Sequence, residues 1–197
     1  MAALVICITI HEFAHAYAAY RAGDDTPRLQ GRISLNPLDH LDPMGTIMMI
    51  VTSLTGFGIG WGKPVMVNPA NFRHPRWDNL RVSLWGPLSN LLTSAVTGAL
   101  LRFLHPGVLS TNVGMFLMMI TLTGIGLAVF NLIPLGPLDG AHIVSALLPR
   151  EAARSFDYFM ARHGTIVFLA LVLLGGSVLD KIIGPVAFFF WHAFTGF

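Results

Sequence analysis

Two histidines and a glutamate lie within an apolar stretch near the N-terminus, in the sequence HEFAH at residues 11–15. On a helix, residues four apart share one face, one turn apart, so the imidazoles of His11 and His15 can bind the same metal ion. A carboxylate beside them can accept a proton from a water at that metal. The HExxH pattern therefore predicts a zinc site with Glu12 as its general base.

The composition places this motif in a hydrophobic setting. Of the 197 residues, 54% are hydrophobic and 11% are charged, and the mean hydropathy is +0.66. A chain this apolar is predicted to cross a membrane several times. The 12 Lys and Arg exceed the 10 Asp and Glu only slightly, which argues against nucleic-acid binding. An ionisable residue at the bilayer centre costs about 2.5–3.5 kcal/mol on insertion scales, so three together require a partner such as a metal ion.

Apolar stretches of about 20 residues predict helices that cross the roughly 30 Å of bilayer hydrocarbon. We expect an all-α polytopic membrane protein, a bundle of about four or five transmembrane helices. The whole chain, 1–197, is predicted to form one membrane-embedded domain. Its spans are expected at residues 1–20, 82–101, 113–134 and 165–179, with a weaker candidate at 182–197.

Residues 43–60 are apolar but short and rich in glycine. Arginine or lysine flanks them on both sides, and cytoplasmic loops carry an excess of these residues, so both flanks are expected on the cytoplasmic side. We therefore predict a re-entrant segment there. The sequence WGKPVMVNP that follows has prolines and alternating side chains, which predict a short β-strand or hairpin element near the active site.

A catalytic zinc ion usually binds three protein ligands and keeps a fourth position for water. Asp139 is the best candidate for the third ligand, because no other carboxylate lies between Asp78 and Glu151. It follows the cytoplasmic end of the predicted span 113–134, on the same side as the HExxH motif. Prolines and glycines around it interrupt the helix, and irregular backbone at membrane depth is tolerated where it lines a watery cavity.

These residues resemble the site-2 protease family of intramembrane zinc metalloproteases. The similarity extends from Leu4 to about Pro149 and is greatest to the small prokaryotic branch, whose members lack PDZ and CBS domains. The family's motifs occur in the chain as HEFAH, GRISLNPLDHLDPMG, GKPVMVNP, GPLSN and NLIPLGPLDG.

The resemblance implies a set of site residues. It implies one Zn²⁺ per chain, held by the metal ligands His11, His15 and Asp139, with Glu12 activating water. It further implies that Asn131 steadies the substrate carbonyl or its oxyanion, and that the segment from Lys63 to Asn68 pairs with an unwound substrate strand.

We therefore expect a multi-pass protein of the cell membrane that hydrolyses peptide bonds in or next to the transmembrane segments of protein substrates. Its active site is expected towards the cytoplasmic side. Two alternatives are a metal-binding membrane transporter and a non-proteolytic scaffold, each using the same ligands. A transporter gives no reason for Glu12 between the histidines or for the helix-breaking loop after Asn131.

Overall fold

The structure, a computed structural model, describes residues 1–55, 60–103 and 111–196. Within these ranges it consists of helices joined by loops. The helices are α1 (Ala2–Ala22), α2 (Thr26–Leu29), α3 (Pro43–Thr55), α4 (Pro75–Phe103), α5 (Asn112–Asn131), α6 (Asp139–Leu147), α7 (Arg150–Phe159), α8 (Thr165–Leu174) and α9 (Gly176–Thr195). Short 3₁₀ turns lie at Pro37–Asp39 and Pro69–Asn71, and a π-helical turn, Met160–Gly164, joins α7 to α8.

Four helical units in the described residues are long and apolar enough to cross a membrane. They are α1, α5, the continuous unit Arg150–Leu174 and α9. Helices therefore lie where spans were expected at 1–20, 113–134, 165–179 and 182–197. The unit Arg150–Leu174 begins earlier than expected, because the turn Met160–Gly164 continues the helix. An all-α membrane protein is confirmed.

The expected span 82–101 lies within α4, Pro75–Phe103, which is not among the four units. Polar residues such as Asn90 and Ser94 lower its hydropathy, so its crossing of the bilayer stays a prediction. α4 is nevertheless the central helix, because it packs against α1, α5, α6 and α9. Its small and polar residues let the neighbouring helices approach closely. For example, Thr97 and Thr121 share a hydrogen bond of 2.7 Å between α4 and α5.

Helix α3 occupies much of the segment predicted to be re-entrant, 43–60, of which residues 56–59 lie outside the described part. Its 13 residues are fewer than the roughly 20 that a spanning helix needs, but a re-entrant path stays a prediction. The expected β element is likewise unconfirmed. In the described chain, β pairing is limited to one isolated antiparallel bridge between Leu41 and Gly62.

A buried carboxylate joins the end of α1 to the segment after residue 60. The helix ends at Gly23, whose φ of 111° lies in the left-handed region that favours glycine. The Asp24 carboxylate then accepts hydrogen bonds from Thr26, from the Asn68 N–H at 2.7 Å and from Asn71 Nδ2 at 2.8 Å. Burial alone would raise the pKa of Asp24, but these hydrogen bonds hold it below its usual value.

Candidate metal centre

The three side chains predicted as metal ligands meet in the structure. His11 and His15 lie on one face of α1, and Asp139 is the first residue of α6, directly after the helix-breaking loop. The two Nε2 atoms are 3.0 Å apart, and each lies 3.2 Å from a carboxylate oxygen of Asp139. Ligand atoms about 2.0–2.2 Å from a tetrahedral zinc ion are about 3.3 Å apart, so these separations fit one ion.

The imidazole of His15 has its orientation fixed by backbone. Its Nδ1 lies 2.8 Å from the Val82 carbonyl oxygen on α4. Because a carbonyl can only accept, Nδ1 carries the proton and Nε2 presents its lone pair towards His11 and Asp139. Metal-binding histidines commonly donate their other ring N–H to a backbone carbonyl in this way.

The charge and hydrogen bonding of Asp139 also favour a cation. Its Oδ2 is buried and accepts no hydrogen bond in the described residues. A buried carboxylate oxygen without a donor is costly, and here it faces imidazole nitrogens whose lone pairs point the same way. Two nitrogens and a carboxylate that converge in this manner form a donor set typical of zinc sites.

A second helix holds the other imidazole. Asn90 of α4 is completely buried, and its side-chain amide lies 3.1 Å from His11 Nδ1. Amide oxygen and nitrogen have nearly the same shape, and among the described residues Asn90 Oδ1 has no hydrogen-bond partner. When this oxygen faces the ring, His11 Nδ1 donates to it and Nε2 is left free for a metal.

Gly86 of helix α4 lies directly against both imidazoles. A Cβ at this position would lie 2.3 Å from His15 Nε2 and 2.7 Å from His11 Cε1. Both separations are far shorter than a normal contact, so any larger residue would displace the rings. Glycine is therefore required here to seat α4 against the HExxH helix.

Glu12 faces the loop that follows residue 60. Its Oε2 accepts a hydrogen bond of 3.0 Å from the Val65 backbone N–H and lies 4.0 Å from Arg32 Nη2. The side chain is 15% exposed. The expected base is thus in direct contact with the extended segment that was expected to bind substrate.

Asn131 lies at the end of α5, and its side chain is turned back onto its own helix. Its Nδ2 donates a hydrogen bond of 2.9 Å to the Leu127 carbonyl. The structure therefore brings together His11, His15 and Asp139 but does not place Asn131 among them, and its catalytic role stays a prediction.

Sequence reasoning had not assigned the roles of Asn90, Val82, Arg32 and Val65 at this site. An asparagine inside an apolar span, one turn after Gly86, was the available signal for Asn90. Val82 and Val65 act through backbone atoms, which leave no signature in residue type.

The site and the fold together define a class of membrane metalloproteases. A glutamate lies between two helical histidines, an aspartate comes from a second helix, and apolar helices surround them. The family model of peptidase family M50 matches residues 107–175. "Putative zinc metalloprotease YwhC" of Bacillus subtilis (strain 168) is 40% identical over 184 residues, which cover 89% of this chain and 81% of the relative. "Putative zinc metalloprotease Rip2" of Mycobacterium tuberculosis (strain H37Rv) is 30% identical over 195 residues, covering 96% and 72%.

No solved structure matches the chain. The relatives nevertheless settle its family: the chain belongs to peptidase family M50, the zinc metalloproteases of the site-2 protease type. Zinc is accordingly its cofactor.

Proposed function

We propose that the protein is an intramembrane protease that cuts peptide bonds in or next to the transmembrane segments of membrane proteins, as in regulated intramembrane proteolysis. The observation that carries this proposal is the convergence of His11, His15 and Asp139 among apolar helices. A substrate that reaches such a site comes from the membrane, so a transmembrane segment is the natural substrate.

In this proposal His11, His15 and Asp139 would hold one zinc ion. Zinc in such a site polarises the scissile carbonyl and makes water more acidic. Val82 and Asn90 keep the imidazoles in the tautomer that presents Nε2. This support matters because a histidine that rotates or changes tautomer is lost as a ligand.

Glu12 is the proposed general base. It accepts a proton from the attacking water and later donates that proton to the leaving amine nitrogen. The Val65 N–H and the nearby charge of Arg32 restrict the position of its carboxylate. The proposed oxyanion donor is Asn131 Nδ2, which would first have to leave the Leu127 carbonyl.

A substrate helix must unwind before cleavage, because helical carbonyls are hydrogen-bonded and shielded. The extended segment offers a place for the unwound strand. The Lys63 N–H donates to the His40 carbonyl at 2.8 Å and the Val65 N–H donates to Glu12, so both face inward. Since alternate residues of an extended chain face opposite ways, Met66 presents its backbone groups outward, where a substrate strand can pair with them.

The proposed orientation places the site towards the cytoplasmic side. This orientation is supported by three arginines: Arg21 at the end of α1, Arg28 in α2 and Arg32 after α2. Positive residues are enriched in cytoplasmic loops, and these arginines lie close in sequence to His15. The same proposal includes the predicted re-entrant path of α3 and the bilayer crossing of α4. With these paths, the stretches on both sides of α3 that contain arginine or lysine lie on the cytoplasmic side.

The test compares wild-type protein with Glu12→Gln and with Glu151→Gln, a matched substitution at an exposed position on α7. Each purified protein is reconstituted in phospholipid vesicles with a single-span peptide whose transmembrane helix contains destabilising glycine and asparagine residues. We expect the wild type and Glu151→Gln to cleave the peptide within its membrane segment. Glu12→Gln should retain zinc and cleave nothing.

Activity in Glu12→Gln equal to that of the wild type would contradict the proposal. The alternative of a metal transporter predicts a different pattern, because transport needs the ligands but no general base. Zinc uptake into wild-type vesicles that persists in Glu12→Gln, without peptide cleavage in either, would favour the transporter.

A further inference from the structure

We propose that Arg32 sets which substrate bond is cut, because it fixes the extended segment Lys63–Asn68 in position against Glu12. The inference rests on the proposed function, since it concerns the register of a bound substrate strand. Arg32 would be a positioning residue that acts through its neighbours.

Arg32 is a buried cation at the centre of the loop structure. It is 3% exposed, and it follows α2 in the chain. Its Nη1 donates to the Asp39 carbonyl and its Nη2 donates to the Lys63 carbonyl, while Nη2 lies 4.0 Å from Glu12 Oε2. Burial lowers the pKa of the guanidinium, and the charges of Glu12 and Asp39 oppose that shift.

A buried charge is retained only where its partners compensate for the loss of water. The two carbonyl acceptors come from different loops, one before α3 and one after it, and the compensating charge comes from the proposed base on α1. One side chain therefore ties together the residues before α3, the extended segment and the HExxH helix.

The extended segment is held by hydrogen bonds at several points along its length. The Lys63 N–H and C=O bind His40 and Arg32, the Val65 N–H binds Glu12, and the Asn68 N–H binds Asp24. Arg32 contacts both this segment and Glu12. Its removal would leave the Lys63 carbonyl without this donor and Glu12 without the nearby positive charge, so this end of the segment would be held more loosely, while the Asn68 end stays anchored to Asp24.

A substrate strand that pairs with the outward-facing backbone groups of the extended segment takes its register from this segment. Strand pairing slips most readily by two residues, because a two-residue shift keeps each side chain on its original face. Such a slip moves the strand by about 6.6 Å and brings a different peptide bond to Glu12. A loosely held segment would therefore produce several cleavage positions where a fixed one produces a single position.

The experiment uses full-length wild type, Arg32→Gln, Arg32→Lys and the control Arg28→Gln. Arg28 is a suitable control because it is exposed and pairs with Asp25 on the surface, away from the site. All four proteins are given the single-span peptide described above. The ends of the products are mapped by mass spectrometry, and kcat and KM are measured together with the zinc content.

We expect the wild type and Arg28→Gln to cut mainly at one bond. Arg32→Gln should retain zinc but spread its cuts to bonds two residues away, with kcat lowered about 10- to 100-fold by the misplaced carbonyl. KM should change less than kcat, because the outward-facing backbone groups of the extended segment can still pair with the substrate strand. Arg32→Lys should also spread the cuts, since a lysine cannot bind two separated carbonyls as the planar guanidinium does.

A product distribution in Arg32→Gln identical to that of the wild type would overturn the inference, even if the rate fell. If Arg32→Gln does not fold, Arg32→Lys, which keeps the cation, decides by the same measurement. Absence of cleavage by the wild type is a separate result, because it contradicts the proposed function and, with it, this inference.

Discussion

The Val65 backbone N–H donates a hydrogen bond of 3.0 Å to Glu12 Oε2. This bond joins the proposed base to the backbone of the segment that is proposed to bind substrate. Every residue type except proline has such a backbone N–H. The bond requires the segment after residue 60 to pass directly over the HExxH helix. The position of the base and the position of a bound strand are therefore determined together.

Replacement of Asp139 by alanine should remove zinc from the protein. With two histidines alone the ion loses one of its three protein ligands, and the fit of the donor atoms around it is lost. Inductively coupled plasma mass spectrometry on detergent-purified protein should find about one zinc per wild-type chain, the single catalytic ion expected of such a site. In Asp139→Ala the zinc should be absent or much reduced.

The control for this experiment is Asp157→Ala, which removes an exposed carboxylate from α7. This variant should bind zinc as the wild type does. Undiminished zinc in Asp139→Ala would show that the assignment of the third ligand is wrong.

The closeness of the three proposed ligands was predictable because each of them had a signal in the sequence. The helical period places His11 and His15 on one face, and the scarcity of carboxylates left Asp139 as the clear third candidate. The contacts of Arg32 and Val65 could not be predicted in the same way. They depend on how two loops far apart in sequence cross each other, and no periodic pattern specifies that path.

The apolar stretches similarly predicted that helices form but not all of their limits. The structure begins α4 at Pro75, well before the apolar run that starts at Val82. Proline is favoured in the first helical turn, and the Asp78 carboxylate accepts the His74 N–H at 2.8 Å, which stabilises this start. Such capping extends a helix into polar sequence that hydropathy alone excludes.

A methyl group added at Gly86 should abolish zinc binding and activity. In Gly86→Ala the new Cβ would meet His15 Nε2 at 2.3 Å, and neither α4 nor the HExxH helix can move without disturbing the other imidazole. The zinc content and the peptide cleavage assay described above measure the effect.

Gly126→Ala provides the matched control, because a Cβ at that position of α5 meets nothing within 4 Å in the part of the chain that the structure describes. This variant should keep its zinc and its rate of cleavage. Full zinc occupancy in Gly86→Ala would mean that α4 does not pack against the site as the structure has it.

Truncation of Asn90 to alanine should weaken zinc binding about 10- to 100-fold. This is the usual effect of removing a side chain that holds a metal-binding histidine by a hydrogen bond. The reason is that His11 would lose the group that holds its ring and its tautomer. Competition with a chelator of known affinity measures the change. Ser94→Ala removes a buried hydroxyl one turn further along α4 and should leave the zinc affinity unchanged. Equal affinities in Asn90→Ala and the wild type would exclude a positioning role for Asn90.

Replacement of Asp24 by asparagine should destabilise the protein at neutral pH and have less effect in acid. The carboxylate accepts several hydrogen bonds, and a hydrogen bond to a charged group contributes about 1.5–3 kcal/mol. Because the pKa of Asp24 is lower in the folded protein than in the unfolded chain, its contribution is fully present above the unfolded value, about 3.9. That contribution is lost as the pH falls through the folded value.

Thermal unfolding of the detergent-purified proteins at several pH values tests this linkage. The difference in Tm between wild type and Asp24→Asn should be constant near neutrality and should shrink as the pH falls below about 4. Asp25→Asn, which alters an exposed ion pair one residue away, should change Tm little, since surface pairs contribute about 0–1 kcal/mol. A Tm difference for Asp24→Asn that is independent of pH would mean that the charge of this carboxylate does not anchor the segment after residue 60.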